Sequence, residues 1–228
     1  MSTTLVVMAF NEEGALAATV EELLGVLRRQ GEPFDVLVID DGSTDGTPAI
    51  ADELVRAHPE VRALHHGANQ GLGGVYRTGF REAGGDWLTF IPADGQLPPD
   101  AVVEFMRARE GYDLVLGYHL ERLDGLWARF LSWAERLLYR LLFGYVPKFQ
   151  GIFMIRTSLL RQIQLRSTGR GWSIVMELVL RVVRKGHRWV NVATGCRVRR
   201  FGRSKVRNLP TILANLRELL RLRFLLWS

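Results

Sequence analysis

Apolar positions in the first 118 residues fall into short runs separated by helix-spaced segments. The runs at residues 5–10, 34–39, 61–64, 87–91 and 114–116 have strand length and the nearly unbroken apolar character of strands covered on both faces. Between them, residues 14–29, 48–58, 75–83 and 100–109 place apolar side chains three and four apart, the spacing of amphipathic helices. This alternation predicts an α/β fold with a mixed, mainly parallel sheet flanked by helices. Such sheets bind ligands beyond the carboxyl ends of their strands. Polar clusters fall at those ends: Asn11 and Glu12 after the first run, Asp40 and Asp41 after the second, Asp94 and Gln96 after the fourth.

The second cluster carries the most chemistry. From Val38 the chain reads Val-Ile-Asp-Asp-Gly-Ser-Thr-Asp-Gly-Thr, so a buried-type strand ends in paired carboxylates. A core tolerates such a pair poorly, whereas a crevice that holds ribose hydroxyls, a base edge or a cation suits it. Asp-Gly is also a turn signal, and Ser43, Thr44 or Asp45 can cap the next helix. Capping by one carboxylate still leaves the other for a ligand. No Rossmann glycine pattern follows the first strand and no Walker sequence occurs, which argues against dinucleotide oxidoreductases and phosphate-loop enzymes.

Two later segments repeat an amphipathic theme. In residues 125–143, Leu126, Trp127, Phe130, Leu131, Ala134, Leu137, Leu138, Leu141 and Leu142 alternate with Arg129, Arg136 and Arg140; in residues 208–227, Leu209, Ile212, Leu213, Leu216, Leu219 and Leu220 form a face with Arg217, Arg221 and Arg223 nearby. Apolar faces edged by cations suit a membrane surface, and equally packing on the core, on each other or on a second subunit. Charge sharpens the contrast between the halves. Residues 1–155 hold 13 Lys and Arg against 22 Asp and Glu, net −9, while residues 156–228 hold 17 against 2, Glu177 and Glu218, net +15. A basic end on an acidic body predicts an anionic partner.

The remaining composition narrows the compartment. The 228 residues are 47% hydrophobic, enough for one large core, and the single Cys196 excludes an intrachain disulfide and cysteine metal clusters. A strand-like run begins by Leu5 with no basic leader and apolar signal core, and no stretch offers the roughly twenty apolar residues of a bilayer span. The expectation is a cytoplasmic protein, soluble or peripheral on the inner face of a membrane.

Five segments in register carry a family resemblance: residues 7–13, 38–47, 69–79 (Asn-Gln-Gly-Leu-Gly-Gly-Val-Tyr-Arg-Thr-Gly), 93–100 and 199–205. Together they resemble the family 2 glycosyltransferases of the dolichol phosphate mannosyltransferase type. The resemblance implies a nucleotide-diphospho-sugar transferase fold over one domain, residues 1–228, with a donor nucleotide half at 1–118 and an acceptor and membrane-facing half at 119–228. It places the nucleotide sugar against Ala9, Asn11, Glu12, Asp40, Asp41, Ala93 and Asp94, with Asp41 as the foremost ribose or base contact. Asp94 and Gln96 match a metal motif for Mg or Mn whose first Asp is here Pro92, which weakens the expected metal dependence. Gly71, Gly73 and Gly74 can cradle a phosphate or permit tight packing, and the sequence does not separate these. Arg77 and Arg81 share a helix face and stay outside the implied site.

The basic segment of Arg199, Arg200, Gly202, Arg203, Ser204 and Lys205 resembles a loop that closes over the site. Arg200, Ser204 and Lys205 would hold the acceptor phosphate, joined by Arg129, since His119 stands where many relatives carry Arg. Asp94, Gln96, Glu177, Arg200 and Lys205 form the implied catalytic set. The acceptor is a polyprenyl phosphate, and a phosphomonoester with a second pKa near 6 is largely ionised at neutral pH, so no strong base is needed. Glu177 then orients arginines or serves as a buried ion-pair partner. The implied reaction is inverting transfer of one sugar from a GDP-mannose or UDP-glucose type donor to a polyprenyl phosphate at the cytoplasmic membrane surface. A membrane-anchoring protein or a homo-oligomer is a further expected partner, and nucleic acid is not. Two rival readings are a glycosyltransferase to a soluble or saccharide hydroxyl, needing Asp94 or Glu177 as base, and a non-catalytic basic module for membrane or nucleic acid.

Overall fold

Seven strands build one sheet in the order β3-β2-β1-β4-β6-β5-β7. The structure is a computed structural model that describes residues 1–119, 133, 137–150, 152–195, 197 and 209–226. Its strands are β1 (Thr3–Ala9), β2 (Phe34–Asp40), β3 (Val61–His65), β4 (Trp87–Pro92), β5 (Leu114–His119), β6 (Phe153–Arg156) and β7 (Trp189–Thr194). The helices are α1 (Leu16–Gln30), α2 (Thr47–Ala57), α3 (Gly71–Glu82), α4 (Asp100–Ala108), α5 at residues 137–143, α6 (Thr157–Leu160), α7 (Ser173–Arg184) and α8 (Leu209–Leu225). Only β6 runs against the rest, pairing antiparallel with both β4 and β5.

The central strands are apolar throughout because both their faces are covered. Leu5, Val7 and Ala9 of β1 join Val36, Val38 and Ile91 beneath α1, α2 and α4, where Leu16, Leu23, Leu24, Leu54, Val102 and Phe105 are buried. Val6, Leu37, Ile39 and Phe90 point the other way, onto Val75 and Tyr76 of α3 and Ile174, Leu178 and Val182 of α7. A third cluster lies outside α7. There Met176 and Leu180 meet Phe143 of α5 and Leu219 and Leu222 of α8.

The strand order places a topological switch at β1 and β4: the chain winds outward through β2 and β3, then returns to the opposite side of β1. In open α/β sheets the crevice at such a point is where ligands lodge.

The expected α/β class and the first five strands are present, with shifted ends. β1 begins earlier, at Thr3, whose amide donates to the Pro33 carbonyl. α3 starts at Gly71 rather than at residue 75, because partners elsewhere in the chain take up its first amides. β5 reaches His119 because it has a parallel partner, β7, that the apolar pattern did not reveal. β6 is four residues long, too short for periodicity to register. Both β6 and β7 come from the second half of the chain and complete the same sheet as the first.

The two amphipathic segments divide their apolar side chains between packing and exposure. Most of residues 125–136 lies outside the described residues. Phe143 and Leu222 are buried, whereas Leu141 of α5 is 71% exposed and Phe224 of α8 is 76% exposed. Trp133, Leu137 and Leu141 are spaced four apart and all exposed, as is the pair Leu220 and Phe224 on α8.

Gly79 fixes how closely α3 approaches the sheet: a Cβ there would stand 2.5 Å from Cε1 of Phe90, a ring already packed by Tyr76, Phe80 and Phe153. Alanine improves helix propensity by about 1 kcal/mol, but overpacking a confined ring costs about 1–3 kcal/mol, and at this distance the upper part of that range applies. We expect Gly79→Ala to destabilise the fold by about 1–2 kcal/mol, read as a lower urea midpoint; an unchanged or higher midpoint would show that α3 can move off the sheet.

Candidate active site

Three strand ends are laced together by backbone hydrogen bonds. The Asp41 amide donates to the Ala9 carbonyl at 2.9 Å, and the Ala93 amide donates to the Met8 carbonyl at 3.0 Å. The polar clusters after β1, β2 and β4 therefore share one rim at the switch point. Side chains reinforce this lacing. Asn11 adopts φ 53°, left-handed backbone that asparagine tolerates, and its Oδ1 accepts the Thr44 amide at 2.8 Å. Its own amide donates to Ser43 Oγ, the Glu12 amide donates to Thr47 Oγ1, and the Glu13 carboxylate accepts the Gly46 amide. Asp45 Oδ1 accepts the Thr47 amide at 3.0 Å, so the capping role open to this segment falls to Asp45.

The paired carboxylates have separate tasks. Asp40 is 2% exposed; its Oδ1 accepts the Ser43 amide and its Oδ2 accepts Nδ1–H of His65 at 3.0 Å. The second nitrogen of His65 lies 3.3 Å from Asp52 Oδ1, and the hydrogen bond to Asp40, opposed by partial burial and helped by Asp52, holds the imidazole pKa above its ordinary 6.5. Asp41 is 3% exposed, and both its oxygens are occupied. Oδ1 takes Nδ1–H of His66 at 2.7 Å and the Gln70 amide at 2.8 Å; Oδ2 takes the Asn69 side-chain amide at 2.9 Å and the Gly71 amide at 2.8 Å. Because a carboxylate only accepts, His66 carries its proton on Nδ1. These bonds satisfy amides at the start of α3, which is why the glycine run is helical. The sequence expectation made Asp41 the foremost nucleotide contact; the structure gives its carboxylate the loop at residues 66–71 to hold.

Gly71 and Gly73 answer the question the sequence left open. A Cβ on Gly71 would lie 2.6 Å from the Arg170 carbonyl and one on Gly73 2.0 Å from the Gly169 carbonyl, while the Gly73 amide donates to Arg170. They serve close backbone packing.

Asp94 sits in the turn after β4, where Gly95 has φ 69° and the Gln96 amide donates to Asp94 Oδ1 at 3.1 Å. The Gln96 carbonyl accepts the amide of Arg197 at 2.8 Å, and Arg197 pairs with Glu22 on α1. Arg197 thus lies against the Asp94 turn. Asp94, Thr19, Glu22, Leu97 and Arg197 line a small cavity beside this turn. Among the described residues no three His, Cys, Asp or Glu side chains cluster in a way that would hold a metal. One carboxylate with a neighbouring amide nevertheless suits a hard divalent cation that takes its other oxygens from a diphosphate.

Glu177 corrects an expectation. It is fully buried, and its carboxylate accepts the amides of Arg166 and Ser167 and Nε–H of Arg181 at 2.8 Å. A closed-off, fully engaged carboxylate is not placed to take a substrate proton, and its bond to Arg181 is the arginine-orienting ion pair that the sequence offered as its role. Glu218 acts in parallel, accepting the amides of Arg170 and Gly171. Asn69 opens the segment 69–79 that carries the resemblance, whereas Arg170 and Glu218 left no motif; for Glu218 the scarcity of acids in the last 73 residues was the available signal. Arg129, Arg200, Ser204 and Lys205, the expected acceptor-phosphate set, lie outside the described residues.

A mixed sheet with this order and a polar rim at its switch point is the architecture of nucleotide-diphospho-sugar transferases. Glucosyl-3-phosphoglycerate synthase from Mycobacterium tuberculosis, crystallised with Mn²⁺, uridine diphosphate and phosphoglyceric acid, has the same fold: TM-score 0.69 at 19% identity, over 96% of this chain and 78% of that one. The family model for glycosyl transferase family 2 matches residues 4–164, and the chain belongs to that family. It is a glycosyltransferase. Undecaprenyl-phosphate mannosyltransferase from Micrococcus luteus is 33% identical over 219 residues, covering 90% of this chain and 88% of that protein. Polyprenol monophosphomannose synthase from Mycolicibacterium smegmatis is 28% identical over 224 residues, 90% of this chain and 80% of its own.

The His65 bridge gives a signed pH dependence. Its folded pKa is raised, so its contribution to stability is complete below the ordinary value of 6.5 and is lost as pH rises through the raised value. The stability gap between the protein and His65→Asn should narrow as pH rises above 6.5, followed by urea unfolding at stepped pH; a constant gap would refute the bridge. Removing Asp41 strands four donors, two of them backbone amides. Asp41→Ala is expected to cost about 3 kcal/mol or more on unsatisfied-donor grounds, and hydrogen exchange should show the amides of residues 70 and 71 losing protection first.

Proposed function

We propose that this glycosyltransferase transfers one sugar, with inversion, from a nucleoside diphosphate to a polyprenyl phosphate at a membrane surface. The observation that carries the reading is the rim at the β1/β4 switch point, where the Arg197 amide donates to the Gln96 carbonyl of the Asp94 turn. The names and near full-length coverage of the two bacterial relatives support the acceptor. The nucleotide lies along Ala9, Asn11, Glu12 and Ala93, over a floor set by Asp40 and Asp41. A divalent cation, Mg or Mn, would be held by Asp94 and Gln96 and would neutralise charge on the leaving diphosphate. Arg129, Arg200, Ser204 and Lys205 hold the acceptor phosphate so that its oxygen attacks the anomeric carbon opposite the leaving group.

The burial of Glu177 leaves a hydroxyl acceptor only Asp94 as a base. A hydroxyl must lose a proton to a base in the transition state, whereas an ionised phosphate needs none. Leu220 and Phe224 are exposed apolar side chains in the half with the +15 charge, which suits an anionic lipid surface, and Trp133, Leu137 and Leu141 add a further exposed apolar stripe. No helix among the described residues is long and apolar enough to cross a membrane. The association proposed is peripheral, on the cytoplasmic face.

The test is incubation with a panel of GDP- and UDP-sugars and short polyprenyl phosphates, read by mass spectrometry. A sugar lipid from at least one pair is expected; none from any pair would overturn the reading. Asp94→Asn should lower kcat by roughly a hundredfold or more if it bears the leaving-group charge, and an unchanged kcat would remove it from the catalytic set.

A further inference from the structure

The loop at residues 166–171 is held by the only two acids of the last 73 residues, and each of them accepts its backbone amides. Glu177 takes Arg166 and Ser167 from inside the core. Glu218, on α8, takes Arg170 and Gly171. The loop is then pressed onto the start of α3: the Gly73 amide donates to the Arg170 carbonyl and Arg77 donates to the Gly169 carbonyl at 3.0 Å. The fit is close, since a Cβ on Gly73 would lie 2.0 Å from the Gly169 carbonyl. The Arg170 guanidinium continues the chain. It donates to both the carbonyl and Oδ1 of Asn69 at 2.8 Å, and the same Asn69 donates its amide to Asp41.

We propose that Arg170 is a positioning residue for the donor site, and that loop 166–171 latches α8 to the strand end that carries Asp41. Asn69 has one side-chain amide with two ends: Arg170 fixes the oxygen, which turns the nitrogen toward Asp41. Without Arg170 the amide is free to rotate away, and Asp41 and the amides of Gln70 and Gly71 lose their common register. Because the latch begins on α8, the helix that exposes Leu220 and Phe224, the seating of that helix and the shape of the donor rim are linked. The inference rests on the donor lying at that rim, as proposed above.

The experiment uses the full chain with anionic phospholipid vesicles carrying polyprenyl phosphate, and compares donor KM, acceptor KM, kcat and the unfolding midpoint for the protein, Arg170→Ala, Arg170→Lys, Glu218→Ala and Glu218→Gln. Arg170→Ala and Glu218→Ala should raise donor KM on the order of fivefold, the effect of one lost charge-assisted contact at an exposed position. Acceptor KM should stay unchanged in both, and the unfolding midpoint should stay unchanged in Arg170→Ala. Arg170→Lys should recover part of the loss, and Glu218→Gln, which keeps an acceptor oxygen, most of it. Calorimetric titration with GDP and UDP reads the same shift without turnover. Donor KM and nucleotide affinity unchanged in both alanine variants would overturn the inference, as would equal rises in both KM values with a lowered midpoint. Turnover by the protein with no effect of the variants sinks the latch alone; neither turnover nor nucleotide binding by the protein itself sinks the donor reading and the latch with it.

Discussion

A single carboxylate at the end of β2 holds the rim of this sheet in shape. Asp41 gathers an imidazole, a side-chain amide and two backbone amides, all drawn from residues 66–71. A buried charge is costly unless its lone pairs are filled by well-placed donors, and here four are filled. The consequence runs in two directions. α3 acquires a capped start despite its glycines, and those glycines let the loop from the far half of the chain approach to backbone contact. The adjacent Asp40 does a smaller version of the same work with Ser43 and His65, so the pair binds the turn after β2 on one side and the start of α3 on the other.

Charge segregation in the sequence takes on a structural meaning from the same logic. Both acids of the basic half are consumed by backbone amides of one loop, Glu177 with a further bond to Arg181. Glu177 offsets only Arg181 among the described cations of that half, so the net +15 of residues 156–228 still favours an external anion. Arg197, from the same half, lies against the Asp94 turn. A diphosphate and a phosphate brought to one place require such a concentration of cations, because two anions otherwise repel each other before they react.

Much of the α/β frame was readable because parallel strands covered on both faces leave nearly continuous apolar runs, as β1, β2 and β4 do, while the edge strand β3 is only partly buried. The rim was readable too, since Asn11, Asp40, Asp41 and Asp94 follow those runs directly. Legibility ended where a partner is distant in sequence. β6 and β7 owe their pairing to β4 and β5, β7 is only half-buried, and four residues of β6 carry no period. Asn69, Arg170 and Glu218 are ordinary polar residues until the fold brings positions 101 and 48 apart into hydrogen-bond contact. Glu177 stood at the place of a family acid, but its burial is decided by α7 packing on the sheet. The glycines of α3 read as a phosphate cradle or as packing, and only the carbonyls of Gly169 and Arg170 settle which.

The substitution of Pro92 for a motif carboxylate fits this arrangement. Pro92 closes β4, paired with Met8 of β1, and the next amide in line, that of Ala93, is the one that ties β4 to β1. Proline therefore removes no needed donor there, and it fixes the backbone entering the Asp94 turn. A second carboxylate at that position would tighten metal binding at the cost of another negative charge beside an incoming diphosphate. Under the proposed function, Asp94 would supply the single full charge to a cation and the basic residues at 199–205 the counterweight. Transition-state stabilisation would then shift from metal toward cationic side chains, the same ones an anionic acceptor would need to approach.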